Sequence, residues 1–336
     1  MRPTFYWNNK VVTDFTELWT NTILLEKIKH LDLSYPCHIF VIRPEYEGDD
    51  PFEVIEFLDK KIKILLWYVD IAEKIILENH RDKIFYYKKL GFDLSVVVPD
   101  YNDYNFDLVC DVLNNYSMAD CVLEQQLIER KNIGEFLVQS NYIYREKHFL
   151  SYNGTPKEHR LDLIQHILKS NIIDKFDISF NSFYWESDEK SRHLDLKKSS
   201  GYTSTILNLP IYFNSYIDLI TTSKFEGDSV YIDEKIYKSF ACHKPFILVG
   251  QANTLKLLRK YGFKTFDTII DETYDEIVND KLRFEMILDE VDRLITLDIK
   301  EVDELYRKLE PILTHNSYWL RKFINNTDNK IIKFLR

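Results

Sequence analysis

The chain has 336 residues, more than one domain usually holds, and its 45% hydrophobic and 29% charged residues are typical of globular proteins, so we expect two medium-sized domains. Its formal net charge of −10 is spread without basic blocks, which disfavours a nucleic-acid partner. No apolar stretch approaches the ~20 residues of a membrane span, no secretory signal is evident and the four cysteines lack CxxC spacing, so we expect a cytoplasmic protein.

The first half of the chain alternates runs of strand length with helical patterns. Strands are predicted at HIFVI, IKILLWYV and LSVVV, and helices at DPFEVIEFLDK and DIAEKIILENH. Asp50 and Pro51 suit a helix start, because Asp can accept hydrogen bonds from free amides and Pro fits the first turn. Residues 107–130 read as helical or irregular. The alternation of strand and helix patterns predicts parallel strands covered by helices.

The second half repeats the pattern. Strands are predicted at KHFLSYNG, DISFNS, KPFILVG and KTF, and helices at PKEHRLDLIQHILKS, YIDEKIYKSFAC and TLKLLRKYG, followed by further helices from Tyr274 to Leu313. The sequence therefore predicts an α/β protein with two Rossmann-like domains, residues 1–145 and 146–315. We expect residues 316–336 to form a C-terminal helix that packs back on the first domain.

Several common catalytic motifs are missing. The eight glycines form neither GxGxxG nor a P-loop, and HExxH, GxSxG and Asp-x-Asp do not occur. A dinucleotide fingerprint, a zinc hydrolase and a serine hydrolase are thereby disfavoured. Arg, Lys and helix N-termini can stabilise phosphate groups without a metal, and this chain has candidates for each.

The densest pattern lies between Ser223 and Phe266. There the chain resembles GT-B glycosyltransferases of the fucosyltransferase-like and exostosin-like group, which has many uncharacterised viral and bacterial members. The matching residues follow the order of the group's donor-domain segment: Glu234, Lys235, Lys238, Pro245, Phe246, Gly250, Leu255, Leu258, Gly262, Phe263 and Phe266. The resemblance implies a GT-B architecture, two Rossmann-like domains facing a central cleft, with a nucleotide-sugar donor held by residues 146–315.

Glu234 and Lys235 are predicted at the start of a helix that follows a strand. The resemblance implies that the Glu234 carboxylate accepts hydrogen bonds from the donor ribose and that Lys235 faces the diphosphate. Lys238 lies one turn further along the same face, and the resemblance makes it a third donor-binding candidate. The competing interpretation is a capping carboxylate beside solvated lysines.

A second matching patch runs from Phe149 to Ile167, where a strand and a short loop precede a helix. Arg160 stands at the arginine that begins this helix in the group, which implies a clamp for the leaving diphosphate. Its alternative role is a surface salt bridge with Glu158 or Asp162. Asn181, in the following strand and loop, is a weaker donor-binding candidate.

The sequence departs from the group at one position. Many members carry a Glu about eleven positions before the Glu-Lys pair, where this chain has Ser223. Glu226, three residues later, is the catalytic candidate, and an acidic loop residue is the competing interpretation. His159, His166 and His243 lie near these motifs and are interpreted as surface or capping residues rather than general bases.

Candidates for the acceptor side follow strand ends in the first half. Tyr68, Asp70, Asp100 and Tyr101 come after predicted strands, and open α/β sheets bind ligands at the carboxyl ends of their strands.

These patterns predict a metal-independent glycosyltransferase without a cofactor, which uses a nucleotide-sugar and a glycan, protein or modified-DNA acceptor. Alternatives are a non-catalytic sugar- or nucleotide-binding protein of the same fold, a phage DNA-base glycosyltransferase and an unrelated Rossmann enzyme. The Ile, Lys and Asn bias suits a virus or an AT-rich microbe, and the host cytoplasm is the expected location if the protein is viral.

Overall fold

A computed structural model describes most of the chain as two compact units. Contacts divide the chain into unit 1, residues 1–120 with 323–336, and unit 2, residues 121–322. The structure describes residues 1–7, 9–13, 15, 22–42, 50–68, 74–99, 112–115, 144–180, 212–227, 230 and 232–336. No helix among these residues is long and apolar enough to cross a membrane.

Unit 1 is built on a six-stranded sheet in the order β2-β1-β3-β4-β5-β6. Its strands are β1 (Thr4–Trp7), β2 (Lys10–Val12), β3 (Cys37–Ile42), β4 (Lys63–Tyr68), β5 (Asp93–Pro99) and β6 (Val112–Asn115). The β2 strand pairs antiparallel with β1, and the other neighbours are parallel, with Phe40 of β3 opposite Leu66 of β4.

Two layers of helices cover this sheet. The helices that contribute to unit 1 are α1 (Thr22–Lys29), α2 (Phe52–Ile55), α3 (Lys74–Lys89) and the last turns of α9 (Glu310–Leu335). Because successive side chains of a strand point to opposite faces, alternate residues of β3 and β4 enter two separate cores. One core joins them to α1 and α9, and the other to α2 and α3.

The end of α9 packs inside unit 1 through apolar and polar contacts. Ile331 and Leu335 are fully buried in the core shared with α1. Lys27 of α1 forms an ion pair with Asp328 at 2.9 Å, and Lys63 Nζ donates to the Phe334 carbonyl at 3.1 Å. Residues about 300 positions apart in sequence therefore share one hydrophobic core.

Unit 2 is built on a four-stranded parallel sheet in the order β10-β9-β7-β8. Its strands are β7 (Lys147–Asn153), β8 (Phe176–Phe180), β9 (Ser215–Thr221) and β10 (Phe246–Val249), and its helices are α4 (Glu158–Lys169), α5 (Glu234–Ala241), α6 (Thr254–Lys260), α7 (Asp280–Ile295), α8 (Ile299–Lys308) and the first turns of α9. The chain passes from β7 to β8 on one side and then to β9 on the other. The strand order therefore reverses between β7 and β9.

The structure confirms the α/β fold class and most predicted elements. Gly262 follows the end of a helix, because α6 stops at Lys260 and Gly262 has a φ of +90° that favours glycine. A Cβ at Gly262 would lie 2.8 Å from the Trp319 ring, so the close approach of that ring also requires glycine.

The structure differs from the sequence-based expectations in three places. The buried strand β9 was missed, because Asp218 interrupts its apolar run. Residues 112–115 form a strand inside the segment expected to be helical or irregular. The KTF segment is not a strand, because Lys264 pairs through both backbone groups with the Asn316 side chain and Phe266 N–H donates to Glu272.

Candidate functional site

A cavity of about 550 Å³ lies where the strand order of unit 2 reverses. Its walls come from the segments that follow β7 and β9 and from the start of α7. The lining residues are Lys157, Glu158, His159, Asp162, Ser223, Lys224, Phe225, Glu226, Asp280, Lys281 and Phe284. Open α/β sheets bind ligands at such a reversal, outside the carboxyl ends of the strands. The volume is within the usual range of small-molecule sites.

The start of α4 forms one side of the cavity. Lys157 takes an extended conformation before the helix and contributes no side-chain capping bond. The first amides of an α-helix lack intrahelical partners and carry a partial positive charge. This helix start therefore presents donors and positive potential towards a ligand in the cavity.

Arg160 lies in the first turn of α4 and is only 3% exposed. Its guanidinium donates to the carbonyl oxygens of Thr155 at 2.7 Å, Thr221 at 3.1 Å and Thr222 at 3.0 Å. These carbonyls belong to the loop after β7 and to the end of β9. Arg160 therefore ties together the two segments whose continuations line the cavity, with its charge buried behind the cavity wall.

Lys235 binds the same strand end from the opposite helix. Its Nζ donates to the Thr221 carbonyl at 2.7 Å and lies 3.8 Å from Asp233 Oδ2. Asp233 caps α5 by accepting from Lys235 N at 3.1 Å, and it also accepts from the Ser223 amide at 3.1 Å. Arg160 and Lys235, 75 positions apart in sequence, thus converge on one carbonyl.

Glu234 and Asp233 form a tightly coupled buried acid pair. Burial first, and then the adjacent Asp233 charge, raise the pKa of Glu234 to about 8. Burial also disfavours the Asp233 anion, but Lys235, a hydrogen bond from Glu234 and the Lys235 amide together lower the pKa of Asp233. At neutral pH the pair therefore holds one proton, on Glu234, and one negative charge, on Asp233.

Lys238 lies deeper in unit 2 than its predicted role requires. It is among the largest fully buried side chains, and its charge acts on both Glu234 and Asp218. Asp218, in the middle of β9, binds Ser239 Oγ and lies 3.3 Å from Lys244 Nζ. A buried network of charged groups thus runs beneath α5, behind the cavity.

The histidine closest to the cavity is neutral at physiological pH. His159 lines the wall, stacks on Phe225 at 5.3 Å between ring centroids and has its Nε2 3.1 Å from the Thr222 carbonyl. Burial, followed by the Arg160 charge, lowers the pKa of His159 to about 3. A surface role does not fit this residue, which is a packed part of the wall.

The remaining predicted site residues lie at the rim of the cavity, away from it or outside the described residues. Glu226 is exposed at the cavity rim, and its backbone carbonyl accepts from Gln251 Nε2 at 2.9 Å. His166 and His243 do not line the cavity. Four predicted site residues lie outside the described part of the chain: Asn181, Asp70, Asp100 and Tyr101. Tyr68 is described in unit 1, where its hydroxyl lies 2.7 Å from His80 Nδ1.

Arg283 was not found by sequence reasoning. It is 2% exposed and donates to the carbonyls of Gly250 at 3.0 Å and Phe225 at 2.6 Å, while its guanidinium lies 4.4 Å from the Phe225 ring. It holds the cavity wall that carries Phe225. The sequence could have indicated it, because Arg283 lies on the apolar side of the amphipathic α7. A buried arginine there requires partners for its charge.

Metal ligands are not clustered in the described residues. No group of three or more His, Cys, Asp or Glu side chains there could hold a metal ion.

Comparison with known proteins finds distant structural likeness only. No family model and no curated protein sequence matches the chain. An α,α-trehalose 6-phosphate synthase from Burkholderia multivorans has a TM-score of 0.46 at 11% identity, over 93% of this chain and 75% of that one. The trehalose-6-phosphate phosphatase N-terminal domain of Candida albicans has a TM-score of 0.44 at 11% identity, with 90% and 72% covered. The wall teichoic acid polymerase TagF has a TM-score of 0.34 at 11% identity, with 98% and 90% covered. These scores are too low for the neighbours' activities to be carried to this chain.

Proposed function

We propose that the chain is a GT-B glycosyltransferase of the fucosyltransferase-like and exostosin-like group that binds a nucleotide-sugar in the cavity of unit 2. The observation that carries the proposal is the position of this cavity, at the reversal of strand order between β7 and β9. Its lining includes neighbours of Arg160 in one segment that resembles the donor site of that group and Ser223 at the start of the other, whereas Glu234 and Lys235 are not among the lining residues.

The positive groups at the cavity are local to parts of its wall, because the lining also holds four carboxylates: Glu158, Asp162, Glu226 and Asp280. The uncapped start of α4 supplies amides, and Lys157, Lys224 and Lys281 reach the cavity from three segments. Arg160 and Lys235 add positive charge beneath the wall, the Asp233 carboxylate offsets part of it, and Glu234 is protonated and adds none. In this proposal the diphosphate lies over the start of α4, and the two buried cations stabilise its charge through a low-dielectric region.

The ribose role of Glu234 takes a different form from that expected. The one O–H of the protonated Glu234 is donated to Asp233, so in this proposal its oxygens accept from a ribose hydroxyl, and the neutral group does not repel the diphosphate. Lys238 is fully buried and is proposed to support the donor site through its charge on Glu234, Asn181 is proposed to contact the donor, and Asp70, Asp100 and Tyr101 are proposed for the acceptor. Glu226, at the rim, is proposed as the catalytic carboxylate for a transfer that needs neither metal nor cofactor.

A thermal-shift screen tests donor binding. The purified chain is heated with UDP, GDP, CMP, dTDP and their sugar conjugates, with and without EDTA. Selective stabilisation by one nucleoside diphosphate that survives EDTA is the expected result. No stabilisation by any nucleotide at millimolar concentration would contradict the donor site, and stabilisation lost in EDTA would contradict metal independence.

Two equally buried lysines provide a matched pair of variants. Lys235→Met removes the cation at the strand end, whereas Lys244→Met removes the one paired with Asp218. Both variants lose stability by themselves, so the readout is the additional shift caused by nucleotide. We expect Lys235→Met to lose that shift and Lys244→Met to keep it. Equal retention in both would contradict the placement of the diphosphate.

Turnover separates an enzyme from a non-catalytic binding protein. Slow release of nucleoside diphosphate from the stabilising nucleotide-sugar, reduced at least about 100-fold in Glu226→Gln, is the expected result. Binding without any release would favour the non-catalytic alternative that Ser223 leaves open.

A further inference from the structure

The amino-terminal edge of the sheet in unit 1 carries an unusual group of exposed apolar side chains. Phe57 is 83% exposed, Tyr86 58%, Phe85 45% and Leu90 39%. Phe57 follows α2, and the other three lie at the end of α3, so all four lie where the chain turns back into β4 and β5. We refer to residues 56–61 and 81–91 as the basic–aromatic surface.

The two parts of this surface are neighbours. The Lys60 ammonium lies 5.7 Å from the Phe92 ring centroid, directly after α3, and the Tyr87 hydroxyl donates to the Phe52 carbonyl of α2 at 3.4 Å. Ile84 and Tyr87 turn towards the sheet core. Phe85, Tyr86 and Leu90 therefore occupy the outer side of α3, which is normally polar in a surface helix.

Leaving these groups in water is unfavourable. Each large apolar side chain loses roughly 1.5–3 kcal/mol when it stays exposed instead of buried. Single exposed residues are common, but clusters of them mark surfaces that another body covers.

Positive charge accompanies the apolar groups. Lys89 Nζ lies 5.2 Å from the Phe85 ring centroid, and the end of α9 reaches the same edge, where Lys63 Nζ donates to the Phe334 carbonyl. The exposed or half-exposed basic residues of this surface and of the end of α9 are Lys60, Lys61, Arg81, Lys83, Lys88, Lys89, Lys333 and Arg336. Four exposed acidic residues stand among them: Glu56, Asp59, Asp82 and Asp93. The edge is net positive on a chain whose formal charge is −10.

The basic–aromatic surface combines exposed aromatic rings and a leucine with surrounding lysines. This combination suits the interface of an anionic lipid bilayer. The rings enter the headgroup region, the lysine stems lie along apolar surface and the ammonium groups reach lipid phosphates and carboxylates. We propose that the basic–aromatic surface docks unit 1 on an anionic membrane. This docking needs no membrane-spanning segment and does not depend on the proposed transferase activity.

Vesicle co-sedimentation of the full chain tests the proposal. The probes are phosphatidylserine–phosphatidylcholine vesicles and pure phosphatidylcholine vesicles, each at low and high salt. We expect binding to the anionic vesicles that weakens with salt and at least about 10-fold less binding to the neutral ones. Absence of binding to anionic vesicles, or equal binding to both kinds, would overturn the proposal.

Paired variants locate the contact. Phe57→Ser with Phe85→Ser removes apolar groups, and Lys88→Glu with Lys89→Glu reverses charge. Each pair is expected to lower vesicle binding at least about 10-fold, with circular dichroism unchanged because these side chains are exposed.

Matched controls lie in unit 2. Val278→Ser with Tyr318→Ser removes similarly exposed apolar groups, and Lys300→Glu with Lys308→Glu reverses the same charge elsewhere. These controls are expected to bind as the wild type does. Equal losses in variants and controls would overturn the proposal. So would a concentration-dependent dimer that dissociates in Phe57→Ser with Phe85→Ser, because the surface would then bind a second copy of the chain.

Discussion

At the scale of single residues, tertiary burial changes what the site side chains can do. Glu234 was expected to act as a carboxylate, but burial and the adjacent Asp233 keep it protonated at neutral pH. Arg160 was expected either as a clamp for the leaving diphosphate or in a surface salt bridge. In the structure its guanidinium donates to three backbone carbonyls. Both environments depend on strands that sequence proximity does not bring together.

Replacing Glu234 by Gln is expected to change how stability depends on pH. The pKa of Glu234 is 4.5 in the unfolded chain and about 8 in the folded protein. Between these pH values the folded state therefore holds one proton more than the unfolded state. This contribution to the free energy of unfolding is full below pH 4.5 and is lost as pH rises to about 8. Urea denaturation from pH 4 to 9 should show wild-type stability falling relative to Glu234→Gln across this window.

The neutral histidine does not obscure that comparison. Because the folded-state pKa of His159 is lowered to about 3, its contribution rises with pH between about 3 and 6.5. It has the opposite sign but is shared by wild type and variant, so it cancels in their difference. A difference that stays constant from pH 4.5 to 8 would contradict the assigned protonation of Glu234.

Arg160→Ala is expected to destabilise the chain strongly. The change removes a buried guanidinium and its three hydrogen bonds to carbonyl oxygens, of which the one at Thr221 keeps Lys235 as a donor, and this is expected to cost roughly 2–4 kcal/mol. Arg307→Ala, which removes a half-exposed arginine paired with Asp303, should cost only ~0–1 kcal/mol. Chemical denaturation measures both. Equal stabilities of the two variants would mean that Arg160 does not hold the strand ends together.

At the scale of elements, several helices depend on groups that are distant in sequence. The α6 helix begins after Asn253, whose φ is +65° and whose side chain makes no capping bond. Its free amides are satisfied by Asp275, which accepts from Leu255 N at 2.9 Å and Lys256 N at 3.0 Å. By contrast, α8 carries a local capping box of Asp298 and Glu301 that is visible in the sequence.

These two caps should differ in their contribution to stability. Asp275→Ala leaves two amides unsatisfied in a buried place and is expected to cost roughly 2–3 kcal/mol. Asp298→Ala exposes its amides to water and is expected to cost only ~1 kcal/mol. Urea denaturation of the two variants provides the comparison. The account of α6 would be wrong if Asp298→Ala proved the more costly change.

At the scale of the whole molecule, the last turns of α9 pack into the same hydrophobic core as α1 near the start of the chain. Ile331 and Leu335 are buried with α1 and with alternate residues of β3 and β4. The apolar face of α1 would otherwise meet water. Unit 1 therefore includes residues 323–336, which lie more than 200 positions beyond the rest of it.

Ile331→Ala tests this closure. Truncating a fully buried isoleucine leaves a cavity and should cost roughly 2–5 kcal/mol, whereas Lys330→Ala, one position earlier and exposed, should stay within ~0.5 kcal/mol of the wild type. Denaturation followed by far-ultraviolet circular dichroism measures both changes. An Ile331→Ala variant as stable as Lys330→Ala would show that the C-terminal turns do not support unit 1.

The sequence by itself determined the alternation of strands and helices, and hence the α/β class, because apolar periodicity is a local property of the chain. It also indicated Arg160 and the Glu234-Lys235 pair. It could not reveal β9, since the Asp218 that interrupts this strand is tolerated only through contacts with Ser239 and Lys244. Only the tertiary structure decided that β9 lies beside β7, which creates the cavity and brings Arg160 and Lys235 to one carbonyl. It also decided where the buried proton resides, because a pKa depends on desolvation and on neighbouring charges that the linear sequence does not place.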